Sequence, residues 1–418
     1  MGAPDSILVS GIGTLLPMDG TTDRVESAAL IIKDGRVAWR GPASEIPREL
    51  EAGAARFDAG GGLVTPGLIE CHTHLLHCGS RAAEYEARAR GSTYEQIARE
   101  GGGIARTVEA VLGCDASSLA AMAVPRLLNM LSMGVTTIEI KTGYALNLPG
   151  ELRMLQAIDA LSRLTPVSVV STFLGAHSFP KGTHDRASHV DSIVSEWIPE
   201  VARGGLARFC DVFCENVAFG VEDARRVLRA AADHGLLLKV HAEQLSASGA
   251  ARLAADMKAV SAEHLDFAGD QDIEALAAAG VVAVLLPGCP ISLCNHKWVD
   301  ARRFLRAGVR VALSTDFNPG SSVTMNLPLM GTFAMSYMGM DAMQAWRSLT
   351  VDAAAALALP AGSGTLAVGA PADLVVFHCG DWRDPFYNYG MNQVAAVIKA
   401  GVPVVRRTAA GEVQYLVP

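Results

Sequence analysis

Several features are missing from this 418-residue sequence, and each absence closes off a class of protein. Its eight cysteines fall at irregular spacings and form no disulfide framework, which excludes the small secreted scaffolds stapled by such bonds. Cys210/Cys214 and Cys289/Cys294 are poorly spaced for metal pairs and lack a matching second pair, so they read as buried structural thiols. No run of like charge occurs and the net charge is −8, which argues against nucleic acid or an anionic membrane as partner. No apolar stretch approaches the ~20 residues of a membrane span. The opening "MGAPDSILVSGIGTLL" lacks the basic start and long apolar core of a signal peptide. The expectation is a reduced, cytoplasmic protein. Internal repeats and low-complexity linkers are absent too.

What is present is a chain that is 50% hydrophobic and 19% charged, with ample material for a large core. Both ends are β-rich. "SILVSGIGTLL" and "AALIIKDGRVAWRG" open the chain, the second broken at a hairpin signal, and "ADLVVFHCG" and "VAAVIKAGVPVVRR" close it. Residues 1–64 and 360–418 are therefore expected to form one small β-sandwich domain together. Between them, over 65–359, eight short apolar strands alternate with amphipathic helical stretches such as "VEDARRVLRAAADHG" and "DQDIEALAAAG". That is the pattern of an α/β fold of the (β/α)8 TIM-barrel type. A doubly wound open sheet is the alternative, but no glycine-rich phosphate loop follows the first strand. Gly101 to Gly103 follow no strand and read as a flexible loop. "VDAAAALALPAG" reads as a good helix.

In such a barrel the chemistry sits where the strands end. The eight segments end, in order, at His72 and His74, Tyr144, His177, Glu215, His241 and Glu243, His264, Pro287 and Gly288, and Asp316 and Asn318. Residues i and i+2 of a strand share a face, so His72 and His74 aim the same way, into the barrel mouth. His241 and Asp316 complete an N/N/N/O set with an open position, suited to one catalytic Zn²⁺, Fe²⁺ or Mn²⁺. Lys239 sits mid-strand, too deep to bridge a second ion, and reads as barrel packing. Glu243, His264 and Asp316 all qualify as proton handlers, and Glu243 equally as a group that orients a ligand. Arg81 and Tyr94 lie on the loop after the first barrel strand, where an arginine suits a substrate carboxylate. "STDFNPGSS" is expected to offer polar groups to a ligand and a helix N-cap at Ser321 or Ser322.

Taken together, "PGLIECHTH", the histidines on strands five and six and the Asp of "STDFNPGSS" resemble the amidohydrolase superfamily. "HTHLLHCGSRAAEYEARARGSTYEQIAREGGGIARTV", "TTIEIKTGY", "STFLGAH", "VFCE", "KVHAEQLS", "SAEHLD", "LLPG" and "YNYGMNQV" narrow the resemblance to its imidazolonepropionase family, over nearly the whole chain. The resemblance implies metal-dependent hydrolysis of the cyclic amide of 4-imidazolone-5-propanoate to N-formimidoyl-L-glutamate, in histidine breakdown. It implies one metal per subunit, zinc or iron (Fe²⁺ or Fe³⁺), held by His72, His74, His241 and Asp316. It also implies a carboxylate-bearing small-molecule substrate on Arg81, with Tyr144 and His177 touching it, Gln244, Asn318, Gly320 and Ser321 lining the pocket, and a homodimeric enzyme. Two departures stand out: Ala145 replaces a glycine beside Tyr144, and "GCPISLCNHK" at 288–297 replaces a more aromatic segment. Rival readings are a deaminase acting on an aromatic ring and an inactive scaffold. A cyclic-imide hydrolase is disfavoured by the lack of a bridging lysine.

Overall fold

Strand-forming residues at the two chain ends meet in one sheet. A computed structural model describes residues 6–92, 96–97, 102–295, 297–408 and 411–416. The first strands are β1 (Ser6–Leu15), β2 (Val25–Lys33), β3 (Arg36–Pro42), β4 (Ala55–Asp58) and β5 (Leu63–Pro66). The β2–β3 hairpin turns at Asp34 and Gly35, with φ of 51° and 71°, the two positive values that a two-residue turn between twisted strands requires. At the other end, β14 (Leu374–Phe377), β15 (Val394–Lys399), β16 (Val402–Arg407) and β17 (Val413–Tyr415) join through an antiparallel β14–β5 pairing.

The barrel strands follow: β6 (Leu68–Glu70), β7 (Val135–Lys141), β8 (Ser168–Ala176), β9 (Phe209–Cys214), β10 (Leu237–Ala242), β11 (Ser261–His264), β12 (Val282–Leu285) and β13 (Val311–Leu313). They form one eight-stranded sheet in chain order, parallel at every step. Every residue of β7 is buried, as expected of a strand covered on both faces. The β6–β13 seam is closed beyond the ladders. His74 N–H donates to the Phe317 carbonyl at 3.0 Å, and the Thr315 N–H stands 3.2 Å from both Glu70 oxygens. Burial pushes the Glu70 carboxyl up to about 8, against the Thr315 contacts.

Gly67 alone separates β5 from β6. A Cβ there would meet Thr136 Oγ1 at 2.2 Å, so the small sheet can run straight into the barrel only through glycine. A second joint is Trp346, wholly buried, its ring 4.6 Å from Phe386 and 5.5 Å from Phe377, with Nε1 donating to the Trp382 carbonyl at 2.9 Å. The expected helices appear at Val221–Asp233, Asp270–Ala279 and Val351–Ala356. The helix after β13 does not begin at Ser321 or Ser322. It spans Leu327–Tyr337, capped by Asn326, because Ser322 Oγ is spent on the Thr315 carbonyl at 2.5 Å. Gly103 is not loose: it precedes the helix Ile104–Leu112 with φ 76° and donates its N–H to Glu84 at 3.1 Å. Among the paired cysteines, Cys210, Cys214 and Cys289 are buried, but Cys294 is exposed.

Trp346→Ala is expected to cost about 3–5 kcal/mol, the usual loss for truncating a buried tryptophan. A fall in the denaturant midpoint measures it. A cost under ~1 kcal/mol would show that the joint collapses around the missing ring.

Candidate metal centre and substrate cavity

Past the end of β6 the chain is held extended by Thr73, whose Oγ1 donates to the Glu139 carbonyl at 2.7 Å and whose N–H donates to the Glu139 carboxylate at 3.2 Å. This anchorage turns His72 and His74 inwards. His241, on β10, and Asp316, just past β13, face them. His241 Nε2 lies 3.4 Å from His74 Nε2, and Asp316 Oδ1 lies 3.4 Å from His72 Nε2 and 3.6 Å from His74 Nε2. All four residues are buried. Neither His72 Nε2 nor Asp316 Oδ1 has a hydrogen-bond partner. Buried polar atoms are nearly always partnered, so unpartnered donors and acceptors converging on one point mark a place for a cation. The protonation states agree. Burial first, then nearby positive groups, holds His72 and His74 well below the ordinary histidine value, leaving both rings neutral and able to coordinate.

His264, at the end of β11, stands with its ring 5.3 Å from that of His241 and 5.7 Å from that of His72, and its Nδ1 is unpartnered. Burial keeps it neutral as well. The backbone at this rim is strained: His264 and Asp316 have φ of 72° and 50°, a region that non-glycine residues rarely adopt. Asp316 Oδ2 is held by Cys289 Sγ at 3.1 Å and by Ser321 Oγ at 3.2 Å, so Oδ1 alone points into the cluster. Burial outweighs those contacts and pushes the Asp316 carboxyl up to about 6.

Glu243 corrects the expectation that it faces the cluster. Its backbone turns at φ 55°, and its carboxylate accepts the N–H groups of Ser248, Gly249 and Ala251 at 2.6, 3.0 and 3.1 Å. It serves the start of the helix Ala250–Asp256. The i+2 argument fails because the strand has already ended at Ala242. The neighbouring Gln244 is the residue that lines the cavity.

That cavity, of about 220 Å³, opens over His74, His241, His264 and Asp316. Tyr144 and His177 form one wall, with rings 5.4 Å apart and 5.7 and 5.0 Å from that of His74. His177 Nδ1 donates to the Gly143 carbonyl at 2.9 Å, which leaves Nε2 as the ring's acceptor. Ala145, the departure beside Tyr144, gives its N–H to Glu151 at 2.9 Å. Asn318, Gly320 and Ser321 line the cavity too, with Arg81 beside Gly320. Glu84 accepts from Arg81 Nε at 2.8 Å and from its Nη2 at 2.7 Å, which fixes the guanidinium plane. A Cβ on Gly320 would stand 2.3 Å from Arg81 Nη1, so this position admits glycine alone. Tyr94 lies outside the described residues.

Sequence reading missed Arg88, which lines the cavity and donates from Nη2 to the Gly320 carbonyl at 2.9 Å. It also missed the charged groups beneath the cluster. Glu139, Lys141, Asp211 and Glu263 are wholly buried, as is Lys239. Lys141 Nζ pairs with Glu139 at 2.7 Å and Asp211 at 2.8 Å, and Lys239 Nζ with Glu263 at 3.1 Å. The signal was available as charged residues at alternate positions of apolar strands, in "IEIK" and "LLLKVH".

Comparison with known proteins places this arrangement. Residues 63–404 match the sequence profile of the Amidohydrolase family. Among solved structures, a triazine hydrolase variant superposes with a TM-score of 0.73 at 18% identity, covering 96% of this chain and 95% of that one. An adenosine deaminase from Xanthomonas campestris, solved with bound zinc, does so with a TM-score of 0.72 at 18% identity, covering 97% and 94%. These two share the fold. Relatives in sequence are much nearer. The imidazolonepropionase of Sphingopyxis alaskensis is 44% identical over 90% of this chain and 93% of its own length. That of Cupriavidus pinatubonensis is 42% identical over 96% and 95%. The chain belongs to the amidohydrolase family and, within it, to the imidazolonepropionase family.

Because Glu243 braces a helix start and does not face the cavity, Glu243→Gln is expected to keep kcat within about tenfold while lowering stability by ~1 kcal/mol. Loss of a working acid or base costs roughly 10²–10⁴ in rate. A drop of that size with the fold intact would return Glu243 to the chemistry.

Proposed function

We propose that this protein hydrolyses the cyclic amide C–N bond of 4-imidazolone-5-propanoate, releasing N-formimidoyl-L-glutamate. The observation that carries the reading is one cavity lined both by a fixed guanidinium, Arg81, and by His74, His241 and Asp316, with His72 buried against Asp316. A substrate with a carboxylate on a short arm and a hydrolysable ring fits that separation of tasks. The names of the curated relatives support it.

A divalent ion bound by those four donors, zinc or iron, supplies polarisation of the ring carbonyl and a water of lowered pKa. One ion per chain is the reading we favour, because among the described residues the further buried group with ligand geometry that uses none of His72, His74 and Asp316, namely Asp211, His241 and Glu263, already holds the ammonium groups of Lys141 and Lys239. The chain does the rest. Arg81 grips the propionate, and Glu84 keeps the guanidinium from swinging. Tyr144 and His177 confine the ring from one side. Gln244 and Ser321 present polar groups to its nitrogens and carbonyl, and Asn318, whose amide bonds Asp316, Gly320 and Ser321, shapes the turn that carries them. With Glu243 turned away, Asp316 and His264 are the groups left to take the proton of the attacking water and return one to the departing ring nitrogen. A cytoplasmic homodimer is proposed with this activity on the family resemblance alone. An aromatic-ring deaminase would use the same donors but gives Arg81 no carboxylate to hold.

The test is to supply freshly generated 4-imidazolone-5-propanoate to metal-loaded protein and follow loss of its ultraviolet absorbance. N-formimidoyl-L-glutamate as product supports the proposal, and ammonia release or no turnover by fully loaded protein overturns it. Two further outcomes are expected. Chelation abolishes turnover, and Zn²⁺ or Fe²⁺ restores it. Arg81→Ala lowers kcat/KM by about 10- to 100-fold, the worth of a lost charged hydrogen bond, with bound metal unchanged by elemental analysis. Loss of metal in that variant would make Arg81 a structural residue.

A further inference from the structure

Four wholly buried side chains run in an unbroken line under the candidate metal centre and connect its two halves. The line starts between His72 and His74, where the Thr73 N–H donates to Glu139 Oε2 at 3.2 Å. Glu139 Oε1 meets Lys141 Nζ at 2.7 Å, and Lys141 Nζ meets Asp211 Oδ2 at 2.8 Å. Asp211 Oδ2 in turn stands 3.0 Å from His241 Nδ1. Glu139 and Lys141 sit on β7, Asp211 on β9 and His241 on β10. The line therefore crosses the barrel interior from the end of β6, by way of β7 and β9, to the strand that carries the third imidazole.

We propose that Asp211, Lys141 and Glu139 are positioning residues: together they fix His241 against the His72–His74 pair and select the His241 tautomer whose Nε2 is free to coordinate. Asp211 Oδ2 is the carboxylate oxygen nearest Nδ1, at 3.0 Å against 4.0 Å for Glu263 Oε2, an approach that favours the ring proton on Nδ1 and leaves the Nε2 lone pair for the cluster. Lys141 has a different task. It neutralises Asp211 and Glu139 at once, so the carboxylate beside His241 remains where it is and does not compete for the ion. Without that ammonium, two carboxylates would face each other in a dry interior. Bonding to Thr73 gives the line its second purpose, since any shift of Glu139 shifts the turn that aims both His72 and His74. This proposal rests on His241 being a metal ligand, and the experiment separates the two claims.

The experiment measures apparent affinity for Zn²⁺ by competition with a chromophoric chelator, and the visible bands of the Co²⁺-substituted protein. It compares the full chain with Asp211→Asn, with the triple variant Asp211→Asn/Lys141→Met/Glu139→Gln, and with His241→Ala. Thermal melts of the metal-free proteins establish folding. The triple variant removes Lys141 together with both carboxylates it pairs with, so it carries the test if the single variant does not fold. The expected result is near-complete loss of tight binding in His241→Ala. Zn²⁺ binding in the Asp211 variants should weaken about 10- to 100-fold, the usual cost of removing a group that orients a metal-bound histidine, with displaced Co²⁺ bands. A residue that only stabilises the barrel would lower the melt and leave the Co²⁺ bands in place. Wild-type affinity and bands in the folded Asp211 variants, with binding lost in His241→Ala, would overturn the positioning role alone. Wild-type affinity in His241→Ala would overturn the ligand assignment and this proposal with it.

Discussion

Charge buried inside a dry barrel is the constraint on which the rest of this molecule depends. Taking an ion out of water costs several kcal/mol even after the protein relaxes, so each buried charge must have a partner close by. Lys141 and Lys239 meet that demand for Glu139, Asp211 and Glu263. Burial holds His72, His74 and His264 neutral, and the carboxylates Asp211 and Glu139 draw Lys141 the other way, firmly into its charged form despite its burial. The result is a polar floor with little freedom to move. On it stand four ligand-type side chains, of which His72 Nε2 and Asp316 Oδ1 lack hydrogen-bond partners.

Around this floor three further carboxylates, Glu151, Glu215 and Glu243, act as braces. Glu151 takes the N–H groups of Gly143, Ala145 and Leu146, each at 2.9 Å, and so fixes the turn that presents Tyr144. Glu215 takes those of Leu245 and Ser246 at 2.8 and 3.1 Å, and Glu243 those of the helix start beyond. A carboxylate bound to several backbone N–H groups stabilises the loop that surrounds it and is poorly placed to exchange protons. This division leaves His264 and His177 beside the donor cluster, and Asp316 within it, among the titratable groups that face the cavity. The strained backbones of His264 and Asp316 are maintained by the braced loops around them.

The substrate end of the cavity has its own coupling. Arg81 opens the helix Ala82–Ala89, and Glu84, within that helix, pins its guanidinium while also receiving the Gly103 N–H. Arg88, from the same helix, holds the Gly320 carbonyl, and Gly320 packs directly against Arg81. The turn from Asp316 to Ser322 is thus tied to the helix that bears the arginine. The helix that bears Arg81 and the turn that bears Asp316 are thereby coupled, and coupling of this kind keeps the groups lining a cavity at fixed distances from one another.

Much of this was legible in the residues themselves. Apolar runs of strand length alternating with amphipathic helices specify a (β/α)8 barrel, because only a sheet covered on both faces hides such strands. His72 and His74 share a face by the two-residue period of an extended chain, and the motifs around Arg81 and Asp316 name the family. Local periodicity could not reveal what lies across the barrel. Glu243 was misread because the strand stops one residue earlier and the chain turns into a positive φ. Asp211 acquires meaning only when the barrel brings β7, β9 and β10 around one interior, and Arg88 only when its helix meets the turn at Gly320, since these partners are remote in sequence. Local chemistry determined which groups were available and the fold they would build; the closing of the barrel decided which atoms face one another, because hydrogen bonds and ion pairs act over a few ångströms of space and not along the chain.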